Sequence, residues 1–365
     1  MKFKEFLRKY AFRIIVFVIM VGFLVYFFYG LDFQGSYEVL KSASIGYLLL
    51  ALLFMIISAA VKAYRFYILL KPNHPELKFL KFLLPYLVGY GFSVLGPFKT
   101  GEVASVEINK RNLNVSRSSS FAALAFFRVV DVVVVLVFFI MALGVTVPSI
   151  ISNTADPDLA SNIQLATNIV FYLAIAGTVV LTAILFVPHI GRFFLKITAA
   201  IIRKISNKAG DWLDRVIKPA LEEYYKSLKF LYSKILISFV VITTTVARWI
   251  LEFYSLKFTL IAFGSDISLI DAASVISIAL LIGLITFVPA GIGTGTITTQ
   301  VLLIGLLIDK NIADASILYQ ALIGIILTLL LAAIASPFLK DKQTESLEEK
   351  TDDMIEEEKD VESAS

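Results

Sequence analysis

Long uninterrupted runs of apolar residues dominate the chain, and their lengths predict its architecture. A helix needs about 20 apolar residues to cross a hydrocarbon core of ~30 Å. Seven runs predict membrane-spanning helices, at 11–29, 44–61, 120–147, 164–187, 235–262, 270–288 and 315–338. The first run follows basic residues without the small-residue cleavage site of a signal peptide, so we expect it to be retained as the first span.

Two shorter apolar segments, 79–97 and 297–308, adjoin clusters of glycine and proline. Such breaks leave backbone groups that lipid cannot satisfy, so they occur where protein or a water-filled cavity does so. One interrupted segment in each half is typical of transporters built from inverted repeats. The pattern therefore predicts an all-α polytopic membrane protein of about seven or eight transmembrane helices, with two broken or re-entrant segments and an arrangement compatible with an inverted repeat.

Basic residues predict which helix ends face the cytoplasm, because Lys and Arg accumulate in cytoplasmic loops. They are dense in the head of the chain and in three later stretches, 62–81, 99–118 and 189–234. The loop 148–162 contains none. This pattern places both termini in the cytoplasm and predicts that 79–97 is a hairpin entering from that side. Segment 270–308 fits either a hairpin from the outer face or full crossings.

Composition supports a membrane protein and excludes several chemistries. The chain is 58% hydrophobic and only 17% charged, with a mean hydropathy of +0.84, whereas soluble domains are about a quarter charged. The absence of cysteine excludes disulfides and thiolate metal sites. Only His74 and His189 remain for imidazole chemistry, and they are far apart in sequence. We therefore expect no metal site and no cofactor.

The chain divides into a membrane body and a polar tail. We expect residues 1–339 to form one membrane-embedded domain and the acidic residues 340–365 to form a disordered cytoplasmic tail. Within the body, 189–234 is a basic linker in which apolar residues recur at a helical spacing. That linker is either an amphipathic helix lying in the inner interface or an ordinary connecting helix. Basic loops that lie close to the membrane surface favour binding of anionic lipid headgroups, and we expect no nucleic-acid partner.

Ionisable residues inside predicted spans are functional candidates, because a charge in hydrocarbon costs several kcal/mol. Arg128 and Asp131 lie three residues apart in one span, and Arg248 and Glu252 lie four apart in another. Each pair therefore shares a helix face. These pairs are either internal ion pairs that hold helices together or parts of a polar path. The residues around the two breaks extend the candidate substrate path to Lys99, Gly101, Glu102, Pro289, Gly291, Gly293 and Thr296.

Three short motifs carry a resemblance to a known family. They are Pro97-x-Lys-x-Gly-Glu102, Phe127-Arg128-x-x-Asp131 and Pro289-Ala-Gly-Ile-Gly293. In this order and this pattern of spans, the chain resembles the lysylphosphatidylglycerol synthase transmembrane family of flippase-like membrane domains, over roughly residues 10–339. That family usually has Arg at position 99, Glu at 127 and Glu near 296, where this chain has Lys, Phe and Thr. The resemblance implies movement of a lipid-linked substrate across the bilayer.

Two classes of function follow. The first is translocation of a lipid or lipid-linked polar headgroup across the cytoplasmic membrane, with anionic or lipid-linked membrane lipids as partners. The second is a membrane-embedded transferase or hydrolase for a polyisoprenoid- or lipid-linked substrate, in which Glu102 or Asp131 is the general base or binds Mg²⁺. A scaffold for a partner synthase or glycosyltransferase is a third option. We expect no enzyme activity, because the internal acids are scattered singly and no segment is long enough for an aminoacyl transferase domain.

Overall fold

The computed structural model describes residues 33–95, 100–205, 215, 217–285 and 294–339, and in these ranges all regular secondary structure is helical. This confirms the prediction of an all-α polytopic membrane protein. In chain order the helices are α1 (Phe33–Lys41), α2 (Ile45–Leu70), α3 (Phe79–Leu95), α4 (Thr100–Leu113), α5 (Arg117–Gly144), α6 (Thr146–Asn153), α7 (Pro157–Phe186), α8 (Pro188–Ile205), α9 (Lys218–Tyr232), α10 (Ile235–Ala262), α11 (Leu269–Ile285), α12 (Thr294–Gly305) and α13 (Lys310–Ala335), followed by a 3-10 turn (Ser336–Phe338).

Five helices in the described ranges are long and apolar enough to cross a membrane: α2, α5 with α6, α7, α10 and α13. Two shorter apolar helices, α3 and α11, accompany them. The bounds of α10 are those of the predicted span 235–262. The predicted first span 11–29 and the acidic tail 340–365 lie outside the described residues.

Helix α2 is longer than the sequence pattern predicted. The predicted span ended at residue 61, with the basic stretch 62–81 in a cytoplasmic loop, but the helix continues to Leu70. Lys62 and Arg65 are therefore part of a packed helix, and the side chain of Arg65 is fully buried. Small residues such as Ala59 and Ala63 allow neighbouring helices to approach this part of α2 closely.

Helix α5 lies at the centre of the described bundle, where it contacts α2, α4, α6, α7, α9, α10 and α11. Two apolar clusters meet on it. One contains Phe139 and packs against α10 and α11, and the other contains Phe126 and packs against α2, α3 and α9. Val130 packs against both clusters. Its neighbour Asp131 therefore lies at the junction of the two apolar clusters.

The helices on either side of the two breaks pack in pairs, which we call the first hairpin (α3 and α4) and the second hairpin (α11 and α12). The sequence pattern predicted that 79–97 alone is a hairpin, but residues 79–95 form the single helix α3, and its partner α4 belongs to the basic stretch 99–118. Gly89 of α3 approaches Ser105 of α4 so closely that an added methyl group would overlap that serine. Residues 96–99 and 286–293 lie outside the described residues, and a re-entrant path through the membrane stays a prediction.

The basic linker contains two helices. Helix α9 packs against α5, and the hydroxyls of Tyr224 and Tyr225 donate to the carbonyls that end α7 at 2.9 Å each. Helix α8 presents Phe194, Ile197 and Ile201, each of which is at least 40% exposed. The helical spacing expected from the sequence is therefore present, and the position of α8 at the membrane surface stays a prediction.

The contact between α3 and α13 depends on a glycine, which gives a test of the packing. A methyl group on Gly91 would overlap the methyl group of Ala332. We expect Gly91→Ala to lower the free energy of unfolding by about 1–3 kcal/mol, as overpacking does. Thermal unfolding in detergent measures the change, and Gly91→Ala combined with Ala332→Gly should restore most of the lost stability.

The matched control for this packing test is Gly177→Ala in α7, where an added methyl group meets nothing within 4 Å. It should leave stability unchanged or raise it, because alanine favours a helix more than glycine does. Equal stability of the Gly91→Ala and Gly177→Ala variants would contradict the close packing of α3 against α13.

Candidate functional site

A buried ion pair joins α2 to α5 inside the bundle. Nη1 and Nη2 of Arg65 each donate to one carboxylate oxygen of Asp131 at 2.9 Å. The side chain of Arg65 is fully buried, and that of Asp131 is 8% exposed. Nη1 of Arg65 also donates to Thr245 Oγ1 on α10 at 2.5 Å. One guanidinium therefore links three helices, in the bidentate geometry that makes arginine–carboxylate pairs strong.

Helix α10 extends this pair into a chain of charges. Nη1 of Arg248 lies 3.4 Å from Asp131 Oδ1, and its Nη2 lies 3.5 Å from Glu252 Oε1. The same Glu252 oxygen lies 3.0 Å from Lys62 Nζ and accepts a hydrogen bond from Ser58 Oγ at 2.7 Å. We call Lys62, Arg65, Asp131, Arg248 and Glu252 the ion network. It is continuous from the core of the bundle to a half-exposed edge.

A further cation, Arg128, lies next to the network. It interacts electrostatically with Asp131 and with two of the network arginines. The Nε atoms of Arg65 and Arg248 are buried and have no hydrogen-bond partner within the described ranges. The network therefore holds two hydrogen-bond donors that the described residues leave unused.

Aromatic rings pack against Lys62, Arg65, Arg128 and Arg248. The ring centroid of Phe127 lies 3.6 Å from Arg65 Cζ and 5.4 Å from Arg128 Cζ. The ring centroid of Trp249 lies 3.8 Å from Arg248 Cζ, and that of Tyr90 lies 5.6 Å from Lys62 Nζ. Cation–π contacts of this kind stabilise a charge that has left water. They also give the guanidinium groups a fixed orientation, which matters for binding a planar or tetrahedral anion.

Two residues of the network lie near the middle of long helices. Asp131 and Arg248 are each near the middle of a 28-residue helix. At a rise of 1.5 Å per residue, roughly 20 Å of helix extends on either side of each residue. Arg65, in contrast, lies close to the end of α2 at Leu70. The network therefore lies inside the helical bundle, nearer to one end of α2 than to its middle.

The structure brings together four of the residues chosen from the sequence, Arg128, Asp131, Arg248 and Glu252. The expected contact between Arg248 and Glu252 along one helix is present. Asp131, in contrast, forms its bidentate contact with Arg65 of another helix and not within α5.

The remaining sequence candidates belong to the two broken segments. Gly101 is buried in the first turn of α4, where its carbonyl accepts from Ser105 Oγ at 2.8 Å. Thr296 is half-buried in the first turn of α12. Glu102 belongs to α4, but its side chain lies outside what the structure describes. Lys99, Pro289, Gly291 and Gly293 also lie outside the described residues.

Sequence reasoning missed Lys62, Arg65 and Thr245. The first two were assigned to a cytoplasmic loop because basic residues following an apolar run usually begin one. A signal was present, since apolar residues continue beside them to Leu70 without a helix-breaking residue. Thr245 shares the helix face of Arg248 and Glu252 through the 3.6-residue period. Nothing in the sequence alone shows which of the helices meet.

A second buried acid, Asp314, lies in α13. It accepts a hydrogen bond from Gln300 Nε2 of α12, and its other oxygen lies 2.8 Å from Lys310 Nζ. This contact fixes the second hairpin to the last span. Throughout the described ranges, no group of three or more His, Asp or Glu side chains is arranged to hold a metal ion.

The buried pair gives a prediction about stability. We expect Asp131→Asn to lower the free energy of unfolding by roughly 3–5 kcal/mol, because Arg65 would stay buried without its counter-charge. The double variant Arg65→Met with Asp131→Leu should recover most of that loss, since it removes both buried charges. Chemical or thermal unfolding in detergent measures both variants.

The control for the buried pair is the exposed pair between Arg192 and Glu222. Arg192→Gln should change the free energy of unfolding far less than Asp131→Asn does, because exposed ion pairs contribute little to stability. An Asp131→Asn effect as small as that of Arg192→Gln would contradict the buried network.

Comparisons with known proteins agree with this architecture. Residues 12–335 match the family model of the lysylphosphatidylglycerol synthase TM region. A UPF0104 membrane protein of Pyrococcus horikoshii is 24% identical over 311 residues, which cover 82% of this chain and 89% of that protein. A UPF0104 membrane protein of Methanothermobacter thermautotrophicus is 25% identical over 150 residues, and this match spans 41% of the chain and 44% of that relative. The family match covers most of the chain and confirms the resemblance, so this protein belongs to the lysylphosphatidylglycerol synthase TM region family.

Proposed function

We propose that the protein translocates a lipid or lipid-linked polar headgroup across the cytoplasmic membrane, with both of its termini in the cytoplasm. The observation that carries this proposal is the ion network inside a bundle of long apolar helices. A headgroup that crosses a bilayer must replace its hydration with polar groups of the protein. The network supplies such groups where lipid supplies none.

The exposure of one edge of the network and the unused donors within it support binding of a ligand. The Nε atoms of Arg65 and Arg248 have no hydrogen-bond partner among the described residues. Lys62 and Glu252 are partly exposed, at 18% and 24% of their side chains, whereas Arg65 is fully buried. A headgroup would therefore enter from the edge formed by Lys62 and Glu252.

The two hairpins provide a way to change which side is open. Helix α3 ends at Leu95, just before the first break. Its residue Tyr90 packs against Lys62 of the network. The second hairpin packs against α13, which also contacts α3. Movement of one hairpin relative to the α2–α5–α10 core would expose the network to one side of the membrane at a time. The acyl or isoprenoid chains would stay in lipid during that movement.

Transport fits the network better than hydrolysis or group transfer does. A general base needs a carboxylate that can accept a proton from the substrate. Both oxygens of Asp131 accept hydrogen bonds from Arg65, and Glu252 contacts Lys62, Arg248 and Ser58. These acids are held by cations and are poorly placed to act as bases. The proposal therefore assigns them the role of positioning the cations.

Reconstitution tests the proposal. Vesicles containing the full-length protein and fluorescent lipids of several headgroup classes are treated with a membrane-impermeant quencher, which reports how fast lipid exchanges between leaflets. We expect faster exchange than in empty vesicles for at least one class. Arg248→Gln should slow that exchange by at least about tenfold, because a buried hydrogen-bonded charge is removed.

Lys257→Gln is the matched control, since Lys257 lies on the same helix but pairs with Asp266 at the far end of α10. The Lys257→Gln variant should exchange lipid between leaflets as fast as the unaltered protein does. Exchange no faster than in empty vesicles, across every headgroup class, would refute the proposed function.

A further inference from the structure

An open pocket lies where α2, α9 and α10 meet, and none of the residues that line it belongs to the ion network. Its volume is about 380 Å³. Four of the lining residues are apolar and two are lysines: Ile68, Lys71, Pro72, Phe230, Lys234 and Ile237. We call it the lysine pocket. We infer that it binds an anionic phospholipid, with part of an acyl chain on the apolar walls and the phosphate at the two lysines.

The two lysines lie at the level where membrane-spanning helices end. Lys71 is the residue after α2, and Lys234 is the residue before α10. Both helices are long and apolar enough to cross a membrane. Lysines at such positions extend their ammonium groups to the headgroup layer, where lipid phosphates are found. In the proposed topology these helix ends face the cytoplasm, and the cytoplasmic leaflet is the one that contains anionic lipid.

The contacts of the two lysines leave both positive charges without a carboxylate. Lys71 Nζ donates to the carbonyls of Pro75 and Leu77, at 2.7 Å each. Lys234 Nζ lies 5.2 Å from the ring centroid of Phe230. Across the described ranges neither lysine forms a salt bridge. An ammonium group has three N–H donors, so Lys71 keeps one for a further acceptor such as a phosphate oxygen.

The pocket combines features that match both parts of a phospholipid. Its apolar residues favour a hydrocarbon chain, and basic pockets between membrane helices bind lipid headgroups. The carbonyls that hold Lys71 and the ring beside Lys234 limit the movement of both ammonium groups. The N-terminus of α10 adds a partial positive charge at the same place, and Lys234 makes no capping hydrogen bond with its side chain there. A soluble phosphate would leave the apolar walls uncovered, whereas a phospholipid covers them.

Protection of a cysteine in the pocket wall tests this site, because the chain has no native cysteine. Full-length Pro72→Cys protein in neutral detergent is labelled with an uncharged, water-soluble maleimide. Phosphatidylglycerol or phosphatidylcholine with identical acyl chains is added at increasing concentration. We expect phosphatidylglycerol to slow the labelling at an at least about fivefold lower concentration, which is the factor that one lysine contributes near anionic lipid. Phe230→Cys, on α9, should give the same result and separates lipid protection from any effect of losing the proline.

Three variants in the Pro72→Cys background separate the roles of charge and shape. Lys234→Gln should reduce the preference for phosphatidylglycerol by about fivefold, and Lys234→Arg should keep it. Ile237→Trp fills the apolar part of the pocket without changing its charge, and it should weaken protection by both lipids. The matched control is Lys110→Gln on α4, where the exposed Nζ contacts Asn114 at 3.2 Å. It should leave the preference unchanged.

Equal protection of Pro72→Cys by the two lipids would overturn the inference, and so would an unchanged preference in Lys234→Gln. Glu76→Cys is a reporter outside the pocket in the same loop, where the glutamate side chain is 74% exposed, and its labelling should not respond to either lipid. Glycerol 3-phosphate that protects Pro72→Cys as well as phosphatidylglycerol does would identify a site for soluble phosphate and overturn the assignment to lipid. Because the ion network takes no part, failure here leaves the proposed translocation standing. Absence of lipid exchange in vesicles, in turn, leaves the lysine pocket standing.

Discussion

The bidentate contact between Arg65 and Asp131 is the interaction on which the rest of the structure depends. Arg65 is fully buried and Asp131 nearly so, so each charge requires the other, and together they fix the register of α2 against α5. Thr245 brings α10 to the same guanidinium. Once these three helices are joined, Arg248 and Glu252 extend the network to the edge where Lys62 lies. The position of the polar site therefore follows from one ion pair.

The surroundings of this pair explain why the bundle tolerates it. The two apolar clusters of the core meet on α5 beside Asp131, at Val130. Charged and aromatic side chains lie at this junction. The aromatic faces of Phe127 and Trp249 pack on two of the arginines and partly compensate their loss of solvation. A charged site inside an otherwise apolar bundle results.

Much of the fold could be predicted from the sequence, because long apolar runs have a single stable solution in lipid. The bounds of α10 were predicted to the residue, and Asp131 and Arg248 were chosen for a physical reason that does not depend on the fold. The error at Arg65 has a physical cause as well. The rule that basic residues mark cytoplasmic loops fails for an arginine that pairs with a carboxylate on another helix, because the pair can stay buried in the bundle. Which helices contact each other depends on the tertiary structure, and the sequence of one helix does not show it.

Transport requires that the partly exposed Lys62–Glu252 edge of the network faces water within the membrane, and cysteine labelling tests this most directly because the chain has no native cysteine. Tyr90→Cys lies beside Lys62, and Val137→Cys lies on the exposed apolar face of α5. Thiols react as thiolates, which form in water and not in hydrocarbon. In intact vesicles, a water-soluble maleimide should modify Tyr90→Cys and leave Val137→Cys unmodified. Equal resistance of both positions, while a cysteine at the loop position Asp156 reacts, would contradict the account.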